Sequence, residues 1–487
     1  MTNIFFGMHR VCVFLLVFGI SCLSTTVSSG QTTNANSIPV PVAPKDTNKN
    51  GMPIFTTALD TGSNQYLTLR QCIDYALLHQ PAVNRSLINI SIAKTTNAIN
   101  LSGFLPQVNA SGNLIHTLQS SNANNSAING TTGTGTTTNS PNASSRYSNS
   151  FIPGVNVSQS IFNPSLLYAH KSAPLYIRQA ENVTDSTKIF LVSAVSKSFY
   201  NVLLNLEQIG VLKEDTARLG KNLRDAYHQY KGGIVDETDY LEASITLNNT
   251  KAQLRQANEN IVPQYAALKQ LMGFPPEKQF NVNFDTVEMM RAINVDTVKQ
   301  LLYEKRVEFK QLKTQKDLQF QLVNYYQHAF LPTVSAFFNY NLGFENNRLP
   351  DILKTAYPSS AVGLSFSIPI FTGFSRINNV HKAKLQQQLL DWDEVELKSQ
   401  IYTEYTSALA SYKSNLYNLK LLQKNVTMAR RTYFVVNLQY RQGIVAYLNV
   451  ITAESNLITS EISYLNALFQ VLSSKIDLEK AMGDISY

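Results

Sequence analysis

The side chains that most often perform chemistry are scattered along this sequence without catalytic spacing. No separation among the seven histidines matches a metal-binding motif. They are His9, His79, His116, His170, His228, His328 and His381. Cys72 and His79 could share a helix face, but two ligands leave a metal site incomplete, and a packed pair in a core is more common. Because no phosphate-binding glycine loop or nucleophile elbow occurs either, we expect no enzyme, no metal and no cofactor.

One acidic cluster, Asp236, Glu237 and Asp239, lies shortly after the glycine pair 232–233. The glycines predict the end of one helix, so the acidic residues would open the next one. The positive end of the helix macrodipole favours negative side chains at this place. Capping is therefore the simpler interpretation of the cluster, and a part in a gate is the alternative.

Length and composition exclude several classes of protein. The chain has 487 residues, of which 44% are hydrophobic and 15% charged, below the roughly 25% charged residues of an average globular protein. No long apolar run is evident after the N-terminus, which argues against a helical membrane protein. The net charge of +8 is spread along the chain. Because nucleic-acid binding needs a basic patch, we expect no nucleic-acid partner.

Residues 1–30 have the organisation of a secretory signal peptide. His9 and Arg10 precede a short apolar stretch, which is followed by small residues. We expect cleavage after this segment and a leader rich in Pro and Asn over 31–66. Cys22 allows the alternative of a lipid-modified N-terminus, although the large apolar residue usual three positions before such a cysteine is absent. In both cases the mature protein leaves the cytoplasm.

The chain contains two copies of one pattern. Phe104-Leu105-Pro106 returns as Phe330-Leu331-Pro332, and the segment 230–235 returns as 440–445. The second pair is about 210 residues apart, which is too long for a solenoid unit and indicates a duplicated domain. The expected boundaries are 67–274 for the first repeat, 275–295 for a connector and 296–487 for the second repeat. A stretch rich in Ser, Thr, Asn and Gly at 120–150 is expected to be a solvated loop.

Each copy contains two predicted strands with period-two alternation. In the last strand Val362, Leu364, Phe366, Ile368 and Ile370 share one face, and Gly363, Ser365, Ser367 and Pro369 share the other. The apolar faces of the other three are Val108, Ala110 and Leu114; Val155, Val157 and Ile161; and Val334, Ala336, Phe338, Tyr340 and Leu342. This pattern suits a barrel with lipid outside and water inside. A half-exposed sheet packed on a core would alternate in the same way.

Two long stretches, 164–230 and 374–440, contain hardly a helix breaker. At ~1.5 Å per residue each predicts a helix of about 100 Å. Apolar residues three and four apart predict a coiled-coil seam in the second stretch. They are at positions 401, 405, 408, 412, 416, 419, 422, 426, 429, 433, 436 and 440. After each turn we expect a further helix, which ends near Gly273 in the first copy and near Gly483 in the second. Each should stack end to end with the shorter helix of its own copy, over 82–103 or 307–329.

The number of strands predicts an oligomer. Four strands cannot close a barrel, and an open sheet edge in lipid leaves costly unpaired backbone groups. Two chains would give an eight-stranded barrel, and side chains would fill its interior. Three chains would give twelve, which leaves room for a pore.

These motifs resemble the TolC family of outer-membrane efflux proteins. The resemblance rests on Phe-Leu-Pro before a strand, on Pro369-Ile370-Phe371-Thr372-Gly373-Phe374 before a long helix, and on Tyr-x-x-Gly-Ile at the helical turn. It covers about 67–483. The fold that it implies is mainly α with a membrane β-barrel portion. Three internally duplicated chains would form a homotrimer with a twelve-stranded β-barrel, to which each chain contributes four strands. A long α-helical barrel would continue it, with an equatorial collar near 274–294.

The resemblance also implies a function and a location. The protein would be the outer-membrane exit duct of a tripartite efflux or type I secretion system in a bacterium, with a large periplasmic portion. Its partners would be a periplasmic adaptor protein, an inner-membrane transporter of the RND, ABC or MFS type, and outer-membrane lipid. A trimeric coiled-coil adhesin is the alternative, which explains the seam but neither the strands nor the duplication. The sequence does not identify the cargo.

In this family the helical turns form the periplasmic tips. These tips contact the adaptor and close like an iris. The tip residues so implied are Gly232, Gly233, Ile234, Val235, Gly443, Ile444 and Val445. Ordinary tight turns with C-cap glycines are the less favoured alternative. The implied gate residues are Asp239, Tyr440, Asn449 and Thr452. Asn449 and Thr452 replace two acidic positions of the family's constriction, and Val445 replaces an expected Arg. We therefore expect fewer charged links and a weak cation-binding ring.

Overall fold

The computed structural model describes residues 66–116, 149–282, 293 and 300–487. Outside the described residues lie the predicted signal peptide with Cys22, the leader up to residue 65, most of the loop at 120–150 and most of the connector at 275–295. The helices are α1 (Leu69–His79), α2 (Pro81–Leu101), α3 (Pro164–Lys231), α4 (Glu237–Met272), α5 (Val307–His328), α6 (Ser375–Arg441) and α7 (Tyr447–Met482). The strands are β1 (Tyr66–Leu67), β2 (Gln107–His116), β3 (Asn149–Phe162), β4 (Asn281–Val282), β5 (Thr333–Asn346) and β6 (Ala356–Ser367).

The two longest helices confirm the prediction from the sequence. α3 has 68 residues and α6 has 67, so each extends over about 100 Å. Asn163 caps α3 by accepting a hydrogen bond from the backbone N–H of Ser165 at 2.9 Å, and Pro164 occupies the first helical position. One apolar 18-residue window of α3 reaches a mean hydropathy of 1.4, which corrects the expectation of no apolar run. Half of this window is buried.

The predicted seam of α6 is also confirmed, because each of its twelve positions is buried or half-buried. Ile401, Tyr412 and Leu419 are almost completely buried. α6 packs along α7, and α3 packs along α4, so that each long helix forms a hairpin with the helix after its turn. α3 also contacts α7, which joins the two hairpins side by side.

The predicted end-to-end stacking of shorter helices is present in both halves. α4 ends at Gly273, whose φ is 67°, and a Cβ there would lie 2.8 Å from the carbonyl oxygen of His79, just before α2 begins. The end of α7 meets the start of α5, where Arg306 Nη1 donates to the carbonyl oxygen of Ala481 at 3.0 Å. α1 was not predicted. Its signal was the capping box formed by Thr68 and Gln71.

A four-stranded antiparallel sheet has the order β2-β3-β5-β6. Its register places polar residues in one row across the sheet, namely Asn109, Asn156, Asn339 and then Ala361. The adjacent row, on the opposite face, is Val108, Val157, Phe338 and Val362. The predicted apolar and polar faces are therefore confirmed at these rows. Among the described residues, β2 and β6 are edge strands, each paired on one side.

Two details of the predicted strands were wrong. β6 ends at Ser367, so Ile368 and Ile370 lie beyond the strand. Pro369, which has no N–H to donate to a ladder, lies two residues beyond this end. In β3 a bulge between residues 160 and 162 brings Phe162, rather than Ile161, opposite Val334.

Candidate functional site at the helical turns

The turn between α3 and α4 is closed by two backbone hydrogen bonds. The N–H of Ile234 donates to the carbonyl of Gln229 at 2.9 Å, and the N–H of Gly233 donates to that of Tyr230 at 3.0 Å. This pair of bonds is a Schellman motif, with Gly233 at the left-handed position (φ 70°). The φ of Gly232 is −81°, a conformation that any residue can adopt.

The turn between α6 and α7 repeats this geometry. The N–H of Ile444 donates to the carbonyl of Gln439 and that of Gly443 to Tyr440, both at 2.9 Å, and Gly443 has a φ of 72°. The glycines are thus C-cap residues, as the simpler interpretation held. Ile234 and Ile444 nevertheless project into solvent, with 75% and 70% of their surface exposed. The two valines that follow them, Val235 and Val445, are half-buried.

The acidic residues after the first turn have different positions. Asp236 is the N-cap of α4, but its side chain makes no capping hydrogen bond, whereas Glu237 and Asp239 lie in the first turn of the helix. The macrodipole interpretation therefore suits Glu237 and Asp239. Burial, together with the neighbouring carboxylates of Glu242 and Asp236, raises the pKa of Asp239.

Tyr440 links α6 to α3. Its hydroxyl donates a hydrogen bond to Oε1 of Gln229, which lies two residues before the end of α3. Burial raises the pKa of Tyr440 to about 12, and the carboxylates of Asp239 and Asp225 add to this shift. Two of the implied gate residues, Tyr440 and Asp239, therefore influence each other electrostatically, but the hydrogen bond of the Tyr440 hydroxyl goes to Gln229.

The other two predicted gate residues lie apart from this bond. Asn449 and Thr452 are exposed on α7. The hydroxyl of Thr452 donates to the backbone carbonyl of Leu448 at 2.9 Å, a bond within its own helix. Val445, at the position where an Arg was expected, has no charge to contribute.

A cavity of about 350 Å³ opens between α3, α6 and α7 beside Tyr440. Asn222, Asp225 and Gln229 line it from α3, and Tyr447 lines it from α7. The hydroxyl of Tyr447 is buried without a hydrogen-bond partner. Beside the cavity the same helices pack closely, since Ala226, Tyr447 and Val450 form a buried apolar cluster.

A buried polar cluster that was not predicted lies on the other side of Asn222. Arg218 of α3 pairs with Asp215 of the same helix and with Glu454 of α7, the latter at 2.8 Å from Nε to Oε1. Asn222 donates to Oε2 of Glu454 at 3.0 Å and to the hydroxyl of Tyr433 on α6 at 3.3 Å. The cluster thus joins both hairpins close to the turns.

Metal-binding chemistry has little support among the described residues. They contain no group of three or more His, Cys, Asp or Glu side chains that could hold a metal ion. Cys72 is buried, which raises the pKa of its thiol to about 12. His79 stacks on the ring of Tyr75, with 3.9 Å between the ring centroids. Cys72 is thus a core residue, whereas His79 is exposed, so the expected packed core pair is wrong for His79.

Comparison with known proteins identifies the family. The sequence profile named outer membrane efflux protein matches residues 72–274 and 298–484. The outer membrane protein TolC of Vibrio cholerae is 18% identical over 347 residues, which cover 70% of this chain and 78% of that protein. TolC of Escherichia coli K12 is 20% identical over 358 residues, with 70% of each chain covered.

Solved structures have the same fold. The outer membrane protein VceC of Vibrio cholerae matches with a TM-score of 0.67 and 15% identity over 85% of this chain and 96% of that chain. The CmeC outer membrane channel of Campylobacter jejuni matches with a TM-score of 0.66 and 20% identity over 85% of each. Since the family profile covers most of the sequence in two segments, the chain belongs to the outer membrane efflux protein family, that is, to the TolC-like transport proteins of the outer membrane, with a large periplasmic helical part.

Proposed function

We propose that three copies of this chain form one conduit, in which a twelve-stranded β-barrel crosses the outer membrane and a helical barrel extends into the periplasm. The observation that carries this proposal is the four-stranded sheet with edge strands β2 and β6. Unpaired backbone groups at such edges are costly in lipid, so each edge needs a partner strand. β2 of one copy next to β6 of another supplies that partner, and twelve strands leave a water-filled interior.

The two faces of the sheet support a lipid-facing barrel. The apolar row with Val108, Phe338 and Val362 would face lipid, and the row with Asn109, Asn156 and Asn339 would face the lumen. In the single chain Val362 and Phe366 are 83% and 66% exposed, so no core formed by the described residues covers them. The alternative of a half-exposed sheet packed on a core is therefore weaker.

We propose in addition that the chain arose by internal duplication. The paired lengths support this view, because α3 and α6 have 68 and 67 residues while α4 and α7 have 36 each. The family profile also matches twice, over 72–274 and 298–484. These segments fall within the repeats expected over 67–274 and 296–487, whose boundaries remain predictions, as does the connector at 275–295.

We infer that the conduit is the exit duct of a tripartite efflux or type I secretion system. A periplasmic adaptor would contact the tips, and an inner-membrane transporter of the RND, ABC or MFS type would select the cargo. The exposed side chains of Ile234 and Ile444 support such a contact, because they project beside the two glycine turns as apolar knobs. Gly232, Gly233, Val235, Gly443 and Val445 would shape the same surface. The matched family consists of efflux proteins, which does not support the alternative of an adhesin.

The turns would also close the conduit like an iris. The Tyr440–Gln229 hydrogen bond, with Asp239 nearby, would hold the second hairpin against the first. Asn449 and Thr452 are uncharged, so the constriction would bind cations weakly. A net contribution of about 0.5–1.5 kcal/mol per hydrogen bond is small enough for a gate that must open.

The mass of the purified particle tests the architecture. The full chain has a mass of 54.4 kDa, and the mature chain would be smaller by the signal peptide. Light scattering on the detergent-solubilised protein, corrected for bound detergent, should give three times the mature mass. A monomer or a dimer would contradict the proposed barrel, because neither provides twelve strands.

A further inference from the structure

The buried cluster behind the turns contains more negative than positive charge. Asp215 and Glu454 are both completely buried, and one guanidinium, that of Arg218, pairs with both carboxylates. When both are ionised, the three groups carry one uncompensated negative charge. Oδ2 of Asp215 is also buried without a hydrogen-bond partner. Burying a charge without a full set of partners is costly, and protonation is the usual way in which a protein avoids that cost.

The groups around Asp215 do not supply the missing positive charge. From α6, the ring of Tyr433 lies 5.1 Å from the guanidinium carbon of Arg218 and is uncharged. From α7, Glu461 adds a second negative charge near Asp215, but Arg430 of α6 pairs with it at 2.8 Å. From α4, Leu247 and Leu254 pack at this level, and the buried Thr250 between them is uncharged and donates its hydroxyl to the carbonyl of Thr246.

The cluster lies where the two hairpins contact each other, so any separation of the hairpins would affect it. Arg218 belongs to the first hairpin (α3 and α4), and Glu454 belongs to the second (α6 and α7), so their ion pair crosses the boundary between them. On the side towards the turns, Asn222 separates the cluster from the cavity of about 350 Å³, and the Tyr440–Gln229 bond borders the same cavity. Between these two polar links the hairpins also meet through the buried apolar cluster of Ala226, Ala243, Tyr447 and Val450, whose packing does not depend on pH.

We propose that Asp215, Arg218 and Glu454 form a proton-operated joint between the two hairpins. Uptake of one proton by the buried carboxylate pair holds α3 and α7 together, and loss of that proton favours their separation. This inference rests on the proposed function, in which the hairpins move apart to open the conduit.

The direction of the effect follows from the pKa of Asp215. Burial raises it from 3.8 to about 6 while the hairpins are together, although Arg218 opposes the shift. In separated hairpins water would reach the carboxylate, and its pKa would return towards 3.8. The closed arrangement therefore binds the proton more tightly and is favoured at low pH. Its advantage is complete below the lower value and is lost as the pH rises through about 6.

These two pKa values give the expected magnitude. Between pH 5 and pH 7.5 the equilibrium for separation should rise about tenfold in each protomer. Neutralising Asp215 should abolish the change, because no proton is then exchanged. Removing the charge of Glu454 should also abolish it in this range, because Asp215 and Arg218 would then form a neutral pair.

Hydrogen exchange on the full chain in detergent tests the joint without relying on transport. The observable is the protection of the amides at 447–460 of α7 at pH 5 and pH 7.5, corrected for the intrinsic pH dependence of exchange. We expect about tenfold lower protection at pH 7.5 in the natural protein. Asp215→Asn should be equally protected at both pH values, and Glu454→Gln should likewise show no dependence on pH.

Asp477→Asn is the matched control. Asp477 also belongs to α7 and forms an ion pair with Lys197 of α3, but both partners are partly exposed, so the natural pH response should persist. An Asp215→Asn protein that keeps the natural response would overturn the proposal, as would a natural protein whose protection does not change.

Conductance of the same proteins in planar bilayers separates this inference from the proposed function. If protection changes with pH as expected but conductance does not, the joint exists and the proposed coupling of hairpin movement to the gate is wrong. If conductance changes and protection of 447–460 does not, a gate exists and the joint is refuted.

Discussion

The two helical turns have the same backbone and different side chains around it. Each has a glycine at the left-handed position, Gly233 or Gly443, and the same two hydrogen bonds. After the first turn, α4 opens with two acidic side chains, whereas the first turn of α7 contains none. The first residue of α7, Tyr447, is instead buried. The turn conformation therefore depends on one glycine, and the side chains that flank it are free to differ.

The helix after the first turn has few contacts with the other hairpin, whereas the helix after the second turn is linked to it. α7 contacts α3 as well as α6, and it contributes Glu454 to the buried cluster. α4 packs mainly on α3 and contributes apolar side chains at the same level. We therefore expect substitutions in the second turn and in α7 to affect the gate more than equivalent substitutions in the first turn.

The largest effect should come from restoring charge to α7. Asn449→Asp combined with Thr452→Asp would place six carboxylates in a trimer at the proposed constriction. Block of bilayer conductance by a trivalent cation should then need at least tenfold less cation, because several carboxylates around one ion attract it together. In the natural protein we expect no strong block at low micromolar concentrations.

The chain offers a matched control for this charge. Asn456 and Thr459 have the same residue types and spacing one heptad later, and they are also exposed. Asn456→Asp combined with Thr459→Asp adds equal charge farther from the turn and should change the block much less. Equal effects of both double variants would argue against a constriction at 449–452.

A smaller effect is expected from the glycines that shape both turns. Gly233→Ala and Gly443→Ala should each destabilise the protein by about 1 kcal/mol, because a left-handed conformation is unfavourable for a residue with a Cβ. Thermal unfolding followed by circular dichroism would measure this. Gly232→Ala should be almost neutral, since its φ is −81° and Gln442 occupies the same place in the second turn. A cost at Gly232 equal to that at Gly233 would refute this account.

The sequence predicts these turns and the long helices well because their determinants are local. Pro164, the glycines and the three- and four-residue spacing of α6 act within a few residues of where they stand. The bulge near Phe162 depends on pairing with β5, so alternation within β3 could not reveal it. The buried cluster is harder still. Asp215 and Arg218 look like an ordinary polar pair one turn apart, and their partner Glu454 lies 236 residues beyond Arg218.

A further effect in this comparison concerns the equivalent tyrosines of the two turns, Tyr440 and Tyr230. Tyr440→Phe removes a hydrogen bond to Gln229 worth about 0.5–1.5 kcal/mol, so the open fraction in bilayer recordings should rise roughly two- to twelvefold. Tyr230 stacks on Tyr240, with ring centroids 6.2 Å apart, and a phenylalanine would preserve this contact. Tyr230→Phe should therefore leave the open fraction unchanged.

The pH dependence of the same bond sharpens the comparison. The pKa of Tyr440 is raised to about 12, so its hydroxyl keeps its proton, and can donate to Gln229, well above the ordinary value of 10.0. Only above about pH 12 would the phenolate lose the bond and face the carboxylates of Asp239 and Asp225. Conductance should therefore stay constant between pH 8 and pH 10.5, a range in which Asp215 no longer titrates. An increase centred on pH 10 that Tyr440→Phe removes would mean that Tyr440 is hydrated, and that its bond to Gln229 does not hold the hairpins together.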